Sequence, residues 1–261
     1  LRIERDPRGT ATLILDRPVE RNALCAQLIG ELTDALTMLA AERDLRAVLL
    51  KGSGSAFCAG ADIGEMRAAG ASAPEQNVAD ARRFVALLER LERMPQPTIA
   101  VVNGAAYGGA IGLISACDIA ISGTAARFSL SEVRLGLIPA MISPYVMRAI
   151  GARQARRYML SGEVMDAATA GRIGLVHEVV SDAALPGAVE KLVDALLAGG
   201  PTAQVEIKSL LRHVSGRTDT DDAALRGELA LWIARIRGSE EGREGLSAFL
   251  EKRQAKWREP G

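Results

Sequence analysis

The stretch TIAVVNGAAYGGAIGLISA, residues 98–116, holds the pattern from which the rest of the chain can be read. Residues 98–102 are β-branched or small and apolar without polar alternation, which predicts a strand buried on both faces. Asn103-Gly104 interrupts that strand, and Gly108-Gly109 open an apolar run that predicts a helix to about Ala116. The same order recurs upstream, where AVLLK at 47–51 reads as a buried strand and leads into the small-residue loop GSGSAFCAGAD. Residues 10–16 predict another strand. Asn22 is placed to N-cap a helix to about Glu42, with Leu24, Leu28, Leu32, Leu36 and Leu39 on one stripe. Residues 79–93 predict an amphipathic helix ending before Pro95 and Pro97, and 119–122 and 127–130 predict short strands. Strands and helices thus alternate, the mark of an α/β fold with mainly parallel strands. Beyond Pro139, residues 143–150, 152–160 and 167–172 read as helices, 175–180 as a strand, and the remainder as helical. The expected organisation is an α/β core over 1–195 that carries the site, and a helical region over 196–261.

The 261 residues carry 32 Lys plus Arg against 32 Asp plus Glu, for zero formal net charge. That balance argues against bulk electrostatic binding to nucleic acid or an anionic membrane. Hydrophobic residues make up 48% and aromatics 3%, so the core must be built from Ala, Leu, Ile and Val. Cys25, Cys58 and Cys117 show no CxxC spacing, which fits free thiols in a reducing compartment. No apolar run approaches a membrane span, and the first residues form neither a secretory h-region nor a transit peptide. A cytoplasmic location is expected.

The chain contains no phosphate-binding GxxxxGK[ST], no GxSxG and no HExxH. GSGSAF lacks the third glycine of a dinucleotide fingerprint, and the two histidines, His177 and His213, lie far apart and read as structural. What remains are two glycine-rich segments that each follow a buried strand, residues 55–63 and 103–110. Small residues let a ligand approach backbone amides, and at a helix N-terminus those amides carry partial positive charge. Two such amides converging would form an oxyanion hole; tight turns that need small residues for packing would look the same. A third segment, FSLSEVRLGLIP at 128–139, places Glu132 where a strand ends among apolar residues. There it is either a desolvated acid/base or a solvated partner of Arg134.

Together these segments resemble the crotonase, or enoyl-CoA hydratase/isomerase, family. The resemblance runs from DRPVERNAL at 16–24 through FCAGADIGEM, AVVNGAAYGGAIGLISACDIA, FSLSEVRLGLIP and AIGARQARRYMLSGE to FLEKR at 249–253. It implies a spiral of ββα units followed by helices that assemble homotrimers or hexamers. It also implies an acyl-CoA thioester substrate, with coenzyme A arriving as part of it and no metal or other cofactor. Carried over by position, the amides of Ala59 and Gly109 would form the oxyanion hole. Gly60, Ala61, Asp62 and Ile63 would line the adenine pocket, Arg21 and Ala23 would flank the CoA arm, and Phe249 and Lys252 would reach it from the C-terminal helix.

Glu132 falls on one catalytic glutamate of the hydratases, while the other falls on Gly112. Gly109 and Gly112 are three apart on one helix and are both expected to face the site. A lone glutamate suits double-bond migration, which needs one proton shuttled between two carbons. The finer pattern at 104–121 and 130–151 resembles instead a bacterial branch acting on 3-methylglutaconyl-CoA or the longer isohexenylglutaconyl-CoA. On that reading Gly112 leaves room at C3, and Arg67 or Arg134 meets the substrate's carboxylate. The expected activity is hydration of a branched enoyl-CoA, 3-methylglutaconyl-CoA first. The other readings are an enoyl-CoA isomerase or general hydratase, and a non-catalytic CoA- or RNA-binding scaffold using Arg148, Arg153, Arg156 and Arg157.

Overall fold

Ten strands and ten α-helices form among the described residues, which in this computed structural model are 1–215 and 223–258. They divide into two compact units, Leu1–Leu192 and Val193–Gly261. The first unit contains a six-stranded sheet of β1 (Arg2–Asp6), β2 (Thr10–Leu15), β3 (Ala47–Gly52), β5 (Thr98–Val102), β7 (Ile119–Gly123) and β10 (Glu178–Val180), side by side in that order. All its pairings are parallel except the β1–β2 hairpin. A smaller sheet holds β4 (Ala56–Cys58), β6 (Ala105–Tyr107), β8 (Arg127–Ser129) and β9 (Met165–Asp166). Each of β3, β5 and β7 is followed within a few residues by its short counterpart, β4, β6 or β8, and then by helix. This is a mixed α/β fold built as successive ββα turns.

The helices of this unit are α1 (Ala26–Ala40), α2 (Ile63–Gly70), α3 (Pro74–Glu92), α4 (Gly109–Ala116), α5 (Ser143–Ser161) and α6 (Ala167–Arg172). Leu28, Leu32, Leu36 and Leu39 of α1 and Phe84, Leu87, Leu88 and Leu91 of α3 are buried, and these two helices pack on each other. Burial of each such side chain is worth about 1.5–3 kcal/mol. Helix α4 is apolar except for Ser115 and buries six of its eight residues, as befits a helix inside the core.

Several boundaries differ from the sequence reading for identifiable reasons. Strand β1 gives no apolar signal because four of its five residues are charged; it lies exposed on the sheet edge. Helix α1 starts at Ala26, with Cys25 as the N-cap, its Sγ accepting from the Leu28 amide at 3.4 Å. Asn22 is not a cap: it is fully buried in the left-handed region (φ 59°). Helix α3 begins five residues early because Pro74 occupies its first turn. The helices read at 143–150 and 152–160 do stand as two within α5, broken at Gly151, whose backbone is non-helical (φ 73°). The strand read at 175–180 reduces to β10, and His177 Nδ1 accepts from the Ala120 amide at 3.1 Å.

Helix α7 (Leu185–Ala198) leads into the second unit, which contains α8 (Pro201–Val214), α9 (Ala223–Arg237) and α10 (Glu240–Leu250). Glu241 accepts from the Thr202 and Ala203 amides at the start of α8, and Glu206 accepts from Trp232 Nε1 at 2.7 Å and pairs with Arg235. No helix among the described residues is long and apolar enough to cross a membrane.

Candidate active site

The loop after β4 and the start of α4 are brought together by backbone pairing. Leu24 forms a parallel bridge with Ala61, its amide donating to Gly60 O (2.8 Å) while its carbonyl accepts from the Asp62 amide (3.0 Å). The bridge uses Gly60 O and Asp62 N, so the Ala61 amide between them points away from it. Gly60 (φ 93°) lies so close to the β6–α4 turn that a Cβ there would sit 2.7 Å from Tyr107 O and 3.7 Å from Gly109 N. Gly109 is the first residue of α4, and its amide has no carbonyl one turn back to bond.

Asn22 holds this architecture from beneath. Its side-chain amide donates to the carbonyls of Ser53 and Ala56 at 2.9 Å and Phe57 at 3.2 Å, and its Oδ1 accepts from the Arg17 amide. Without it, several buried backbone groups would lose their partners, at about 1–3 kcal/mol each. The N-cap reading misses this role because Asn has the chemistry for both, and only long-range contacts distinguish them.

Glu132 stands on the 3-10 turn Ser131–Leu135. The β6–β8 pairing continues into a Gly108 amide bond to Ser129 O (2.9 Å), which brings that turn beside Gly108. A Cβ on Gly108 (φ 52°) would meet Glu132 Oε1 at 3.2 Å, so the carboxylate lies directly against this glycine. Glu132 Oε2 is buried with no hydrogen-bond partner. Burial pushes the carboxyl above its ordinary pKa, opposed in part by its own backbone amide. The Arg134 ion pair does not form: Arg134 packs beside Gly162 at the end of α5. Glu132 is therefore a partly desolvated carboxylate with no cation paired to it and one oxygen, Oε2, without a partner, beside the free amide end of a helix, an arrangement suited to proton transfer. Cys58 is no rival nucleophile, since burial holds its thiol up at about 12. Among the described residues no cluster of three His, Cys, Asp or Glu gathers where a metal could sit.

Two sequence assignments need correction. The Ala59 amide is not available to an oxyanion, because it donates to Arg21 O at 2.9 Å; Ala61 is the residue of that loop whose amide stays outside the pairing. Gly112 does not leave an open space. A Cβ on it would overlap Ile142 Cγ2, lie 2.9 Å from Ile142 Cβ and touch Leu88. Ile142 is 2% exposed and seals the position. One turn earlier, the Gly109 Cβ position meets Phe84 and Leu24. This face of α4 is apolar throughout.

The remaining assigned residues fall as follows. Arg21 (φ 51°) lies in the turn that caps the 3-10 segment Pro18–Glu20, its carbonyl accepting from the Ala59 amide, and Ala23 directly precedes the Leu24–Ala61 bridge. Asp62 N-caps α2 through the Gly64 and Glu65 amides and pairs with Arg17 at 3.4 Å, while Ile63 is exposed. Arg67 is exposed on α2. Phe249, which is exposed, and Lys252 (φ 55°) belong to the second unit. Of the basic cluster, Arg148 pairs with Glu92 and Arg157 with Glu163.

The family pattern for enoyl-CoA hydratase/isomerase matches residues 5–260. The chain belongs to this family, the crotonases. It is similar to a solved enoyl-CoA hydratase of Shewanella pealeana, at 44% identity with a TM-score of 0.89, covering 95% of this chain and 92% of that one. It is also similar to Pseudomonas aeruginosa AtuE, at 37% identity with a TM-score of 0.92, covering 99% of both chains. The curated enoyl-CoA hydratase AFT6-1 of Alternaria alternata is 32% identical over 251 residues, 94% of this chain and 80% of its own length. The fold and the enoyl-CoA hydratase type of enzyme follow, with an acyl-CoA thioester as the substrate class.

Proposed function

We propose that this enzyme adds water to, or removes it from, a branched enoyl-CoA, with Glu132 as its only acid/base and 3-methylglutaconyl-CoA as the first ester to test. The observation that carries the reading is the partly desolvated Glu132 carboxylate, its Oε2 buried without a partner, lodged against Gly108 next to the free Gly109 amide. In this mechanism the Ala61 and Gly109 amides receive the thioester oxygen as negative charge develops on it. Water bonds through oxygen to C3 and its proton passes to Glu132. The π pair moves to the thioester as an enolate, and Glu132 then returns the proton to C2. Coenzyme A is part of the substrate and no further cofactor is required. Homotrimers or hexamers in the cytoplasm complete the proposal.

The Ile142 seal over Gly112 favours a second reading, double-bond migration. There Glu132 takes the C2 proton of a 3-enoyl ester and delivers it to C4, with no water consumed. Incubation with 3-methylglutaconyl-CoA followed by mass spectrometry separates the two. Gain of one water supports hydration, a moved double bond at unchanged mass supports migration, and no turnover of this or of straight-chain esters refutes both.

A further inference from the structure

We infer that Ile142 is a specificity-determining residue, which confines efficient hydration to enoyl esters whose own acyl group supplies a polar partner for the attacking water. The inference rests on Glu132 as the acid/base and deepens that reading. A water held for attack needs two or more polar partners to fix it. Glu132 supplies one. The α4 face running from the Gly109 amide is covered by Leu24, Phe84, Leu88 and Ile142, each at most 6% exposed, and none offers a hydrogen bond.

Ile142 closes the position one turn beyond Gly109, where a side chain on α4 would otherwise enter. Its own backbone is fixed, because its carbonyl accepts the Tyr145 and Val146 amides at the start of α5. The seal is therefore a built feature rather than a loose side chain. A straight-chain enoyl group brings only methyl and methylene groups to this wall, so its water keeps a single partner. An acyl group with a carboxylate borne on C4, as in the glutaconyl esters, brings its own second partner, and water adds. Double-bond migration needs no water and is open to both classes.

The test compares Ile142→Thr with Ile142→Val, two variants of nearly equal shape that differ by a hydroxyl. Hydration of crotonyl-CoA and of 3-methylglutaconyl-CoA is measured with each, alongside C2-proton exchange of a 3-enoyl-CoA in deuterated water. The wild type should hydrate the glutaconyl ester in strong preference to crotonyl-CoA. Threonine should raise kcat/KM for crotonyl-CoA about tenfold over valine, the worth of one positioned hydrogen bond, and leave the glutaconyl rate near that of valine. Equal hydration of both esters by the wild type would overturn the inference. So would identical crotonyl rates in the Thr and Val variants while C2 exchange shows both sites working. Loss of Glu132 as the base reads out differently: Glu132→Gln retaining C2 exchange would remove the underlying reading, whatever Ile142 does.

Discussion

Adding a methyl group at Gly112 tests the sealed face of α4 directly. In an exposed helix, Gly→Ala would stabilise by about 1 kcal/mol. Here the new Cβ would overlap Ile142 Cγ2 and come within 2.9 Å of Ile142 Cβ, so the whole side chain and the turn carrying it must shift. Overpacking of this kind costs about 1–3 kcal/mol, which cancels that gain and gives Gly112→Ala a net loss of up to about 2 kcal/mol. For a protein of this size that lowers Tm by about 2–4 °C per kcal/mol. Ile142→Ala alone should cost about 2–5 kcal/mol through the cavity it opens. In the double variant the methyl added at Gly112 enters that cavity, so the two losses should fall short of additivity by at least about 1 kcal/mol. Urea denaturation of the four proteins supplies the cycle. Additivity within about 0.5 kcal/mol would mean that the two positions do not touch, and the account of the apolar wall would fail with it.

Asn22→Asp should be among the most damaging single changes, at about 3 kcal/mol or more, because it sets a buried carboxylate against the carbonyls of Ser53, Ala56 and Phe57; an unchanged urea midpoint would refute the clamp. Gly60→Ala should remove turnover and also lower stability, since a side chain is strained at φ 93° and its Cβ would press on Tyr107 O and push the Ala61 loop from Gly109; near-normal kcat/KM would refute the close approach. Burial raises the Glu132 pKa, so the acid limb of kcat/KM should lie above the range of an ordinary carboxylate. By linkage, stability from the protonated carboxyl is present below its unfolded pKa and lost as pH rises through the folded one. Glu132→Gln should then be more stable than wild type at neutral pH and lose that advantage in acid, as thermal unfolding across pH would show.

The buried strands 98–102 and 47–51 are legible in the sequence because a parallel sheet covered on both faces demands continuous apolar runs. The glycines at 60, 108 and 109 are legible as a group, because close backbone approach leaves few alternatives. Glu132 stands out as a carboxylate in apolar company, yet its isolation from Arg134 depends on where the α5 turn at Gly162 lies. Ala59 and Ala61 are chemically identical, and only the bridge to Leu24 and the bond to Arg21 O decide which amide is spare. Ile142 carries no local signal at all, since its meaning comes from Gly112, about thirty residues away. Short strands such as β4 and β6 are hidden in loops because they are three residues long and paired only at long range.

The central claim is that Glu132 moves the substrate proton while the ester is held elsewhere. Its most direct test is C2-proton exchange of a 3-enoyl-CoA, or of a 3-hydroxyacyl-CoA, in deuterated water, measured for wild type and Glu132→Gln together with the affinity for the ester. Exchange and turnover should vanish in Glu132→Gln while the ester binds within a few-fold of wild type. Exchange at the wild-type rate in Glu132→Gln would contradict the assignment.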